Sequence, residues 1–321
     1  MSSSPETAAA IPQFQVDELE APPLTLRQLT WRRFRRHKMA MAGIVVLALL
    51  FLYAFGGALF FSEAEANYTE TGIMLQAPSA EHPFGTDTVG RDILKRSVFG
   101  GQISLVIGLT AMIVELVVGI LIGSMSGYFG GLTDSLLMRF TEAVFVIPQL
   151  FLLIVMSKYF GGKIPNVDVL GRELSGSVVV VILIIGLTSW MYLARIVRAE
   201  FISLKEREFV LAARATGTPA REIIFRHILP NCMAPIIVSA TLSVAAAILS
   251  ESYISFLGLG VQAPTATWGN MLQAATSNFS RIESAPWFWL FPSLFILLTV
   301  LSINFVGDGL RDALDPRSRA V

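Results

Sequence analysis

Six stretches of this chain, roughly 39–61, 103–126, 136–157, 178–197, 234–257 and 287–306, are each long and apolar enough to cross a bilayer. A spanning helix needs about 20 such residues. Hydrocarbon offers no water to backbone N–H and C=O groups, so only helices and closed barrels can cross it. None of the six shows the alternation, about ten residues long, of a barrel strand. The expected fold class is therefore all-α, a polytopic membrane protein with six transmembrane helices. Composition agrees. Of 321 residues, 54% are hydrophobic and 15% charged, against about 25% charged in soluble domains.

The first apolar run is followed by Ala64-Glu65-Ala66, which imitates a signal cleavage site. The run from Met39 is longer than the roughly 7–15 residues of a signal core, so it is read as an uncleaved helix. Lys and Arg then set the orientation. With the N-terminus cytoplasmic, 17 of the 24 Lys and Arg residues fall on the inner side and seven on the outer side. Both termini, and the long polar insert between the fourth and fifth spans, are thus expected in the cytoplasm.

Residues 1–25 are rich in Ser, Pro, Ala and acids without apolar periodicity and read as a disordered cytoplasmic tail. Residues 26–38, LRQLTWRRFRRHK, place Leu26, Leu29 or Thr30, Phe34 and His37 near helical spacing among five arginines. That pattern suits a basic helix in the inner membrane interface, contacting anionic lipid. A plain stop-anchor cluster of cations would read the same way. Residues 62–102 form an extracytoplasmic loop with turn signals at Pro83, Gly85 and Gly90. Asp87 or Thr88 is placed to cap a short helix over 91–99. His82, Asp87 and Asp92 lack metal-ligand spacing on one element, so no metal is expected.

Within the spans, Glu115 is a mid-membrane acid, and Glu251 lies near the outer end of the fifth span. An intramembrane acid is costly to bury, so both are candidates for the pathway wall or for interior polar contacts. Gly119 and Gly123, four apart, allow close helix approach. GYFGG at 127–131 makes an inner turn. Arg139 and Glu142 are spaced to pair. Pro148 predicts a kink in the third span or a carbonyl left free. Trp287 and Trp289 suit an outer aromatic belt.

No catalytic constellation is present: there is no HExxH and no GxSxG. There is also no GxxxxGK[ST]. Gly162-Lys163 is followed by Ile164, and Ser157 stands where the first glycine belongs. No cofactor is expected in this chain, and any ATP-driven engine must be another polypeptide. The single cysteine, Cys232, excludes an intrachain disulfide and reads as a small buried apolar residue. Zero net charge gives no global field that would recruit nucleic acid.

The insert has internal order. Residues 205–215, KEREFVLAARA, predict a helix that Gly217 ends in left-handed conformation. Thr218 predicts a cap for a second helix, with Pro219 at its first position. That second helix runs through AREIIFRHIL until Pro230 stops or turns it. Two short helices around a rigid corner result, exposing apolar and basic groups.

At this point the stretch LAARATGTPAREIIFRHILPN (211–231) resembles the cytoplasmic loop of bacterial ATP-binding-cassette importer permeases. That signature is Glu-Ala-Ala, then Gly four residues after the second Ala, then Ile-x-Leu-Pro. Ala212, Ala213, Gly217, Leu229 and Pro230 match it. Leu211 replaces the glutamate and His227 the isoleucine, and both departures resemble the dipeptide/oligopeptide branch. HPFGTDTVGRDILKRSVFGGQISL, GYFGGLTDSLLMRF, ESYISFLGLGVQAPTATWGNML and NFVGDGLRDALDPR resemble other segments of that branch, so the likeness covers about residues 27–317.

The resemblance implies a type I importer permease fold in the bacterial inner membrane. The core would span 103–312, with the loop 198–233 cytoplasmic. It implies a second homologous permease subunit, two ATP-binding subunits and an extracytoplasmic solute-binding protein as partners. Ala212, Ala213, Gly217, Thr218, Pro219, Leu229 and Pro230 would then form the ATPase-coupling surface. Di- or oligopeptides are the implied cargo, while related importers carry nickel chelates, glutathione or oligosaccharides. A transporter driven by an ion gradient would carry ion-pairing acids in several spans and often inverted repeats. Here Glu115 is the only mid-span acid, and no repeat is visible.

Overall fold

The computed structural model describes residues 25–160, 163–169, 172–277 and 283–315. The tail expected over 1–25 lies outside them except for Thr25, as does the chain beyond Asp315. Five helical stretches are long and apolar enough to span a membrane: Lys38–Gly56, Ile93–Phe129, Gly176–Leu204, Ala220–Phe256 and Pro286–Leu314. A sixth crossing exists only if Gly131–Val146 and Gln149–Phe160, which meet at 82°, count as one.

Helix α1 (Leu26–Arg36) opens on a capping box: Thr25 Oγ1 accepts from Gln28 N, and Gln28 Oε1 accepts from Thr25 N. Phe34 buries itself against Ala40 and Ala313. His37 is not on the helix face; it is extended and caps α2 (Lys38–Phe51), its Nδ1 accepting from Ala40 N at 3.1 Å. Its Nε2 sits 3.6 Å from Asp312. The basic face of α1, with Trp31 exposed, is thus fixed at a set angle to the bundle. The short helix α3 (Glu63–Asn67) begins the loop that follows the first span.

Helix α4 (Ile93–Phe129) corrects the expectation of a short helix over 91–99. It is one 37-residue helix capped by Asp92, whose side chain accepts from Lys95 N. Asp87 instead accepts from Val89 N, Arg91 N and Arg91 Nε, and so shapes the preceding turn. Gly100 and Gly101 lie inside this helix. They are close-approach points, where a Cβ at Gly101 would lie 2.7 Å from the Trp268 ring. Gly130 and Gly131, both with positive φ, then reverse the chain.

Helices α5 (Gly131–Val146) and α6 (Gln149–Phe160) turn sharply at Ile147-Pro148. Pro148 has no N–H to give, and its ring drives the preceding residue out of helical space. Ile147 is accordingly extended, at φ −72° and ψ 124°. The expected kink is thus a break between two helices. The side chains that hold α5 in place also differ from expectation. Arg139 and Glu142 are exposed, while Asp134 takes a bidentate grip from Arg198, at 2.5 and 2.7 Å, and a hydrogen bond from Ser126.

A small antiparallel hairpin, β1 (Val167–Val169) and β2 (Arg172–Leu174), pairs Val167 with Leu174 between α6 and the next helix. Helix α7 (Gly176–Leu204) packs along α4 more extensively than any other pair in the molecule. The α10 helix (Met233–Phe256) and α12 (Pro286–Leu314) complete the bundle, with the short α11 (Trp268–Thr276) over one end. Residues 70–92 fold back over that end, where Leu75 and Phe84 join Ile93, Met271 and Phe288 in one apolar cluster. Trp287 joins it as well. Its indole is partly buried against the Gly85 backbone, with Nε1 unpartnered among the described residues.

Candidate functional site

At the opposite end, α7 closes at Leu204 and the polar insert begins. Helix α8 (Glu208–Ala215) starts three residues later than the sequence predicts, because Arg207 is extended, at φ −76° and ψ 147°. Its termination is a full Schellman motif. Thr218 N donates to Ala213 O at 3.1 Å, Gly217 N donates to Arg214 O at 3.0 Å, and Gly217 sits at φ +77°. A Cβ on Gly217 would meet nothing within 4 Å, so glycine is required by backbone conformation and not by crowding.

The next helix departs from expectation in two ways. Thr218 does not cap it; its hydroxyl faces that of Thr216 at 3.3 Å, and Pro219 stands at the N-cap with extended φ and ψ. Nor does Pro230 end it. The short α9 (Ala220–Glu222) passes into a π turn (Ile223–Ile228), a 3-10 turn (Leu229–Cys232) and then α10. The result is one continuous span, Ala220–Phe256. A wide turn ahead of Pro230 accommodates the missing donor and the ring without breaking the helix. The Asn231 side chain donates to His227 O at 2.6 Å, serving one of the carbonyls in this irregular turn.

The corner is anchored from within. Val210 and Ala213 of α8 pack with Ile223, Ile224 and Ile228 against Leu193, Val197 and Phe201 of α7. Cys232 is buried in the same cluster. What remains outside is Phe209, Leu211, Ala212, Gly217, Pro219, Phe225 and Pro230, with Arg221 and Arg226 beside them. Leu229 is half-buried and Ala213 fully buried, so the predicted coupling residues divide between an inner and an outer face.

A second feature is a cavity of about 860 Å³ bounded by α4, α7, α10, the α5–α6 break and the end of α12. Glu115 is on its wall, 5% exposed, with Oε1 accepting from Ser243 Oγ at 2.7 Å. Thr188, Ser189, Ser239, Ser250 and Gln149 add polar groups to the lining, and Glu200, Arg311 and Asp315 add charged ones. Volumes of roughly 300–1,000 Å³ with few convergent polar groups are typical of small-molecule sites.

Glu251 lies elsewhere. It is fully buried, away from this cavity, and accepts from Ser255 Oγ at 2.7 Å and Ser104 Oγ at 3.2 Å. Ser104 in turn accepts from Trp268 N, so the carboxyl ties α4, α10 and α11 together. Glu251→Leu strips both serines of this acceptor and is expected to cost about 1–3 kcal/mol of stability. Glu251→Gln keeps one acceptor oxygen and should lose less. Thermal unfolding of the purified protein checks this, and a Leu variant melting like wild type would count against the tie.

Comparison with known proteins adds the remaining evidence. Residues 119–320 match the family described as the binding-protein-dependent transport system inner membrane component. Residues 25–78 match the N-terminal transmembrane domain of oligopeptide transport permease C. The chain is 39% identical to the oligopeptide transport system permease protein OppC of Haemophilus influenzae over 307 residues, 95% of this chain and 93% of that protein. It is 39% identical to the dipeptide transport system permease protein DppC of Bacillus subtilis, over 95% of this chain and 90% of that protein. A putative peptide permease of Brucella suis is 41% identical over 89% of each chain.

Proposed function

This chain belongs to the binding-protein-dependent transport system inner membrane components, and we propose from that membership that it is one permease subunit of an ATP-driven importer of di- or oligopeptides. Its partners are a second homologous permease, two ATP-binding subunits and an extracytoplasmic solute-binding protein. It crosses the bacterial inner membrane with both termini in the cytoplasm, a reading supported by the excess of Lys and Arg on that side. ATP is hydrolysed by the separate subunits.

The observation that carries the coupling role is the Schellman corner at Gly217. Its inner face packs onto two spanning segments, and its outer face offers Phe209, Leu211 and Phe225 among arginines. A docking element needs that combination, since a flexible linker would absorb displacement and a packed corner passes it on. Rigid-body movement of such elements switches a transporter between its two open states. The cavity bearing Glu115 is this subunit's share of the pathway.

Two measurements test the reading. ATP-binding subunits should copurify with the full chain, and cells should take up labelled dipeptides or tripeptides only when this chain is present. Uptake of a nickel chelate, glutathione or an oligosaccharide in place of peptides would reassign the cargo. For the pathway, Glu115→Gln is expected to lower uptake of cationic peptides about tenfold more than that of neutral ones, as befits loss of one charge-assisted contact. Unchanged uptake across substrates and pH would leave Glu115 a purely internal hydrogen-bonding group.

A further inference from the structure

At the end of the bundle covered by residues 70–92, a second cavity of about 300 Å³ lies between the start of α4 and the connection from α10 to α11. Its wall carries Asp87, Arg91, Arg96, Gln262 and Gln273. Arg96 is 5% exposed. Among the described residues, its side chain makes one hydrogen bond, to Asn67 Oδ1 at 2.8 Å, and no carboxylate oxygen lies within 4.0 Å. A guanidinium has five N–H donors, and a buried cation is ordinarily paired. Asp87 does not serve, since both its oxygens are engaged by Arg91 and the backbone of its own turn.

Two arginines and one aspartate leave this wall with one surplus positive charge. We infer that the cavity binds a single carboxylate on the Arg96 guanidinium: the free carboxyl end of a peptide substrate, at the end of the bundle where substrate enters. The identity of the ligand rests on the peptide-import reading above; the need for an anion does not. One surplus charge matches a carboxylate better than a doubly charged phosphate. The planar fork of arginine pairs with two carboxylate oxygens at once. The Gln273 amide on the same wall makes no hydrogen bond among the described residues and can serve the adjoining peptide group.

The test uses the complete transporter in cells, with a tripeptide and its C-terminal amide as paired substrates. Comparing the acid-to-amide uptake ratio between wild type and variant cancels any preference of the binding protein. Arg96→Gln is expected to lower uptake of the acid about tenfold and to leave the amide within about twofold, matching loss of one charge-assisted pair. Equal loss of both substrates, or loss of neither, overturns the proposal. A second arm titrates the full chain in nanodiscs with N-acetyl-triglycine and its amide. Acid-selective binding that Arg96→Gln removes upholds the site even if wild-type cells take up no peptide, an outcome that would defeat the import reading alone. Absence of acid-selective binding ends the site, and acid-selective binding without a shift in the uptake ratio ends its role in substrate entry. If Arg96→Gln does not reach the membrane, Arg96→Lys keeps the charge and loses the fork, and is expected to weaken acid binding several-fold.

Discussion

Gly217→Val is expected to cut uptake about tenfold or more while the protein still reaches the membrane in normal amount. The reason is conformational. Gly217 holds φ +77°, and its amide together with that of Thr218 closes the helix end. A left-handed backbone costs an L-residue roughly 1–2 kcal/mol, and a β-branched one is a true outlier there. The corner therefore relaxes to another shape, carrying Thr218, Pro219 and Phe225 away from their places. Gly217→Asn separates conformation from bulk, because asparagine tolerates this region. With open space around the position, the Asn variant should retain most uptake and Val should not. Uptake and copurification of the ATP-binding subunits are the two readouts. If the Val variant keeps both, the corner is not what couples the chain to its partners.

The second large effect is expected at Gly123. Gly119, Gly123 and Gly127 form a stripe on α4, four residues apart, lying against Leu193, Ala194, Val197 and Phe201 of α7. A Cβ at Gly123 would stand 2.5 Å from the Ala194 carbonyl and 2.7 Å from Val197 Cβ. Neither neighbour is the free end of a flexible chain, so α4 and α7 must separate. In a membrane, association of helices relies on this kind of close fit, because lipid is as apolar as leucine. Gly123→Leu should therefore lower the folded amount in the membrane about tenfold, and Gly123→Ala should fall between it and wild type. Immunoblots of membrane fractions and fluorescence-monitored melting in detergent measure both. Wild-type abundance and melting for the Leu variant would mean that the two helices do not rely on this contact.

The features legible in the sequence were those with local causes. Apolar length gave the spans, and the need of a C′ glycine for positive φ gave the corner at Gly217. Pro148 showed that the third apolar run was interrupted. Its 82° turn was not legible, since that depends on what each half packs against. The long-range contacts were equally hidden. Glu251 meets Ser104 across 147 residues, and no local spacing announces that. Nothing in the local sequence marks Arg96, and its burial appears only once residues 70–92 fold over the bundle. Thr218 carried the right side chain for a cap, but the Schellman closure uses its backbone N–H and leaves Pro219 at the cap position. Trp287 packs closely against Gly85, a contact across 202 residues that no local spacing announces.

The continuity of Ala220–Phe256 has a mechanical consequence. At about 1.5 Å per residue, these 37 residues make a lever about 55 Å long that the π and 3-10 turns do not interrupt. Its far end is pinned where Glu251 grips α4 and α11. Pushed at Ala220, such a rod tilts about that pivot, and every point moves in proportion to its distance from it. Ala220 is about 46 Å away and Ser243 about 12 Å. A stroke of about 5 Å at the corner therefore reaches Ser243 as only about 1.3 Å. That is small on the scale of the protein, yet a displacement of that size along the present 2.7 Å bond, with Glu115 held in place, is enough to part Ser243 from Glu115.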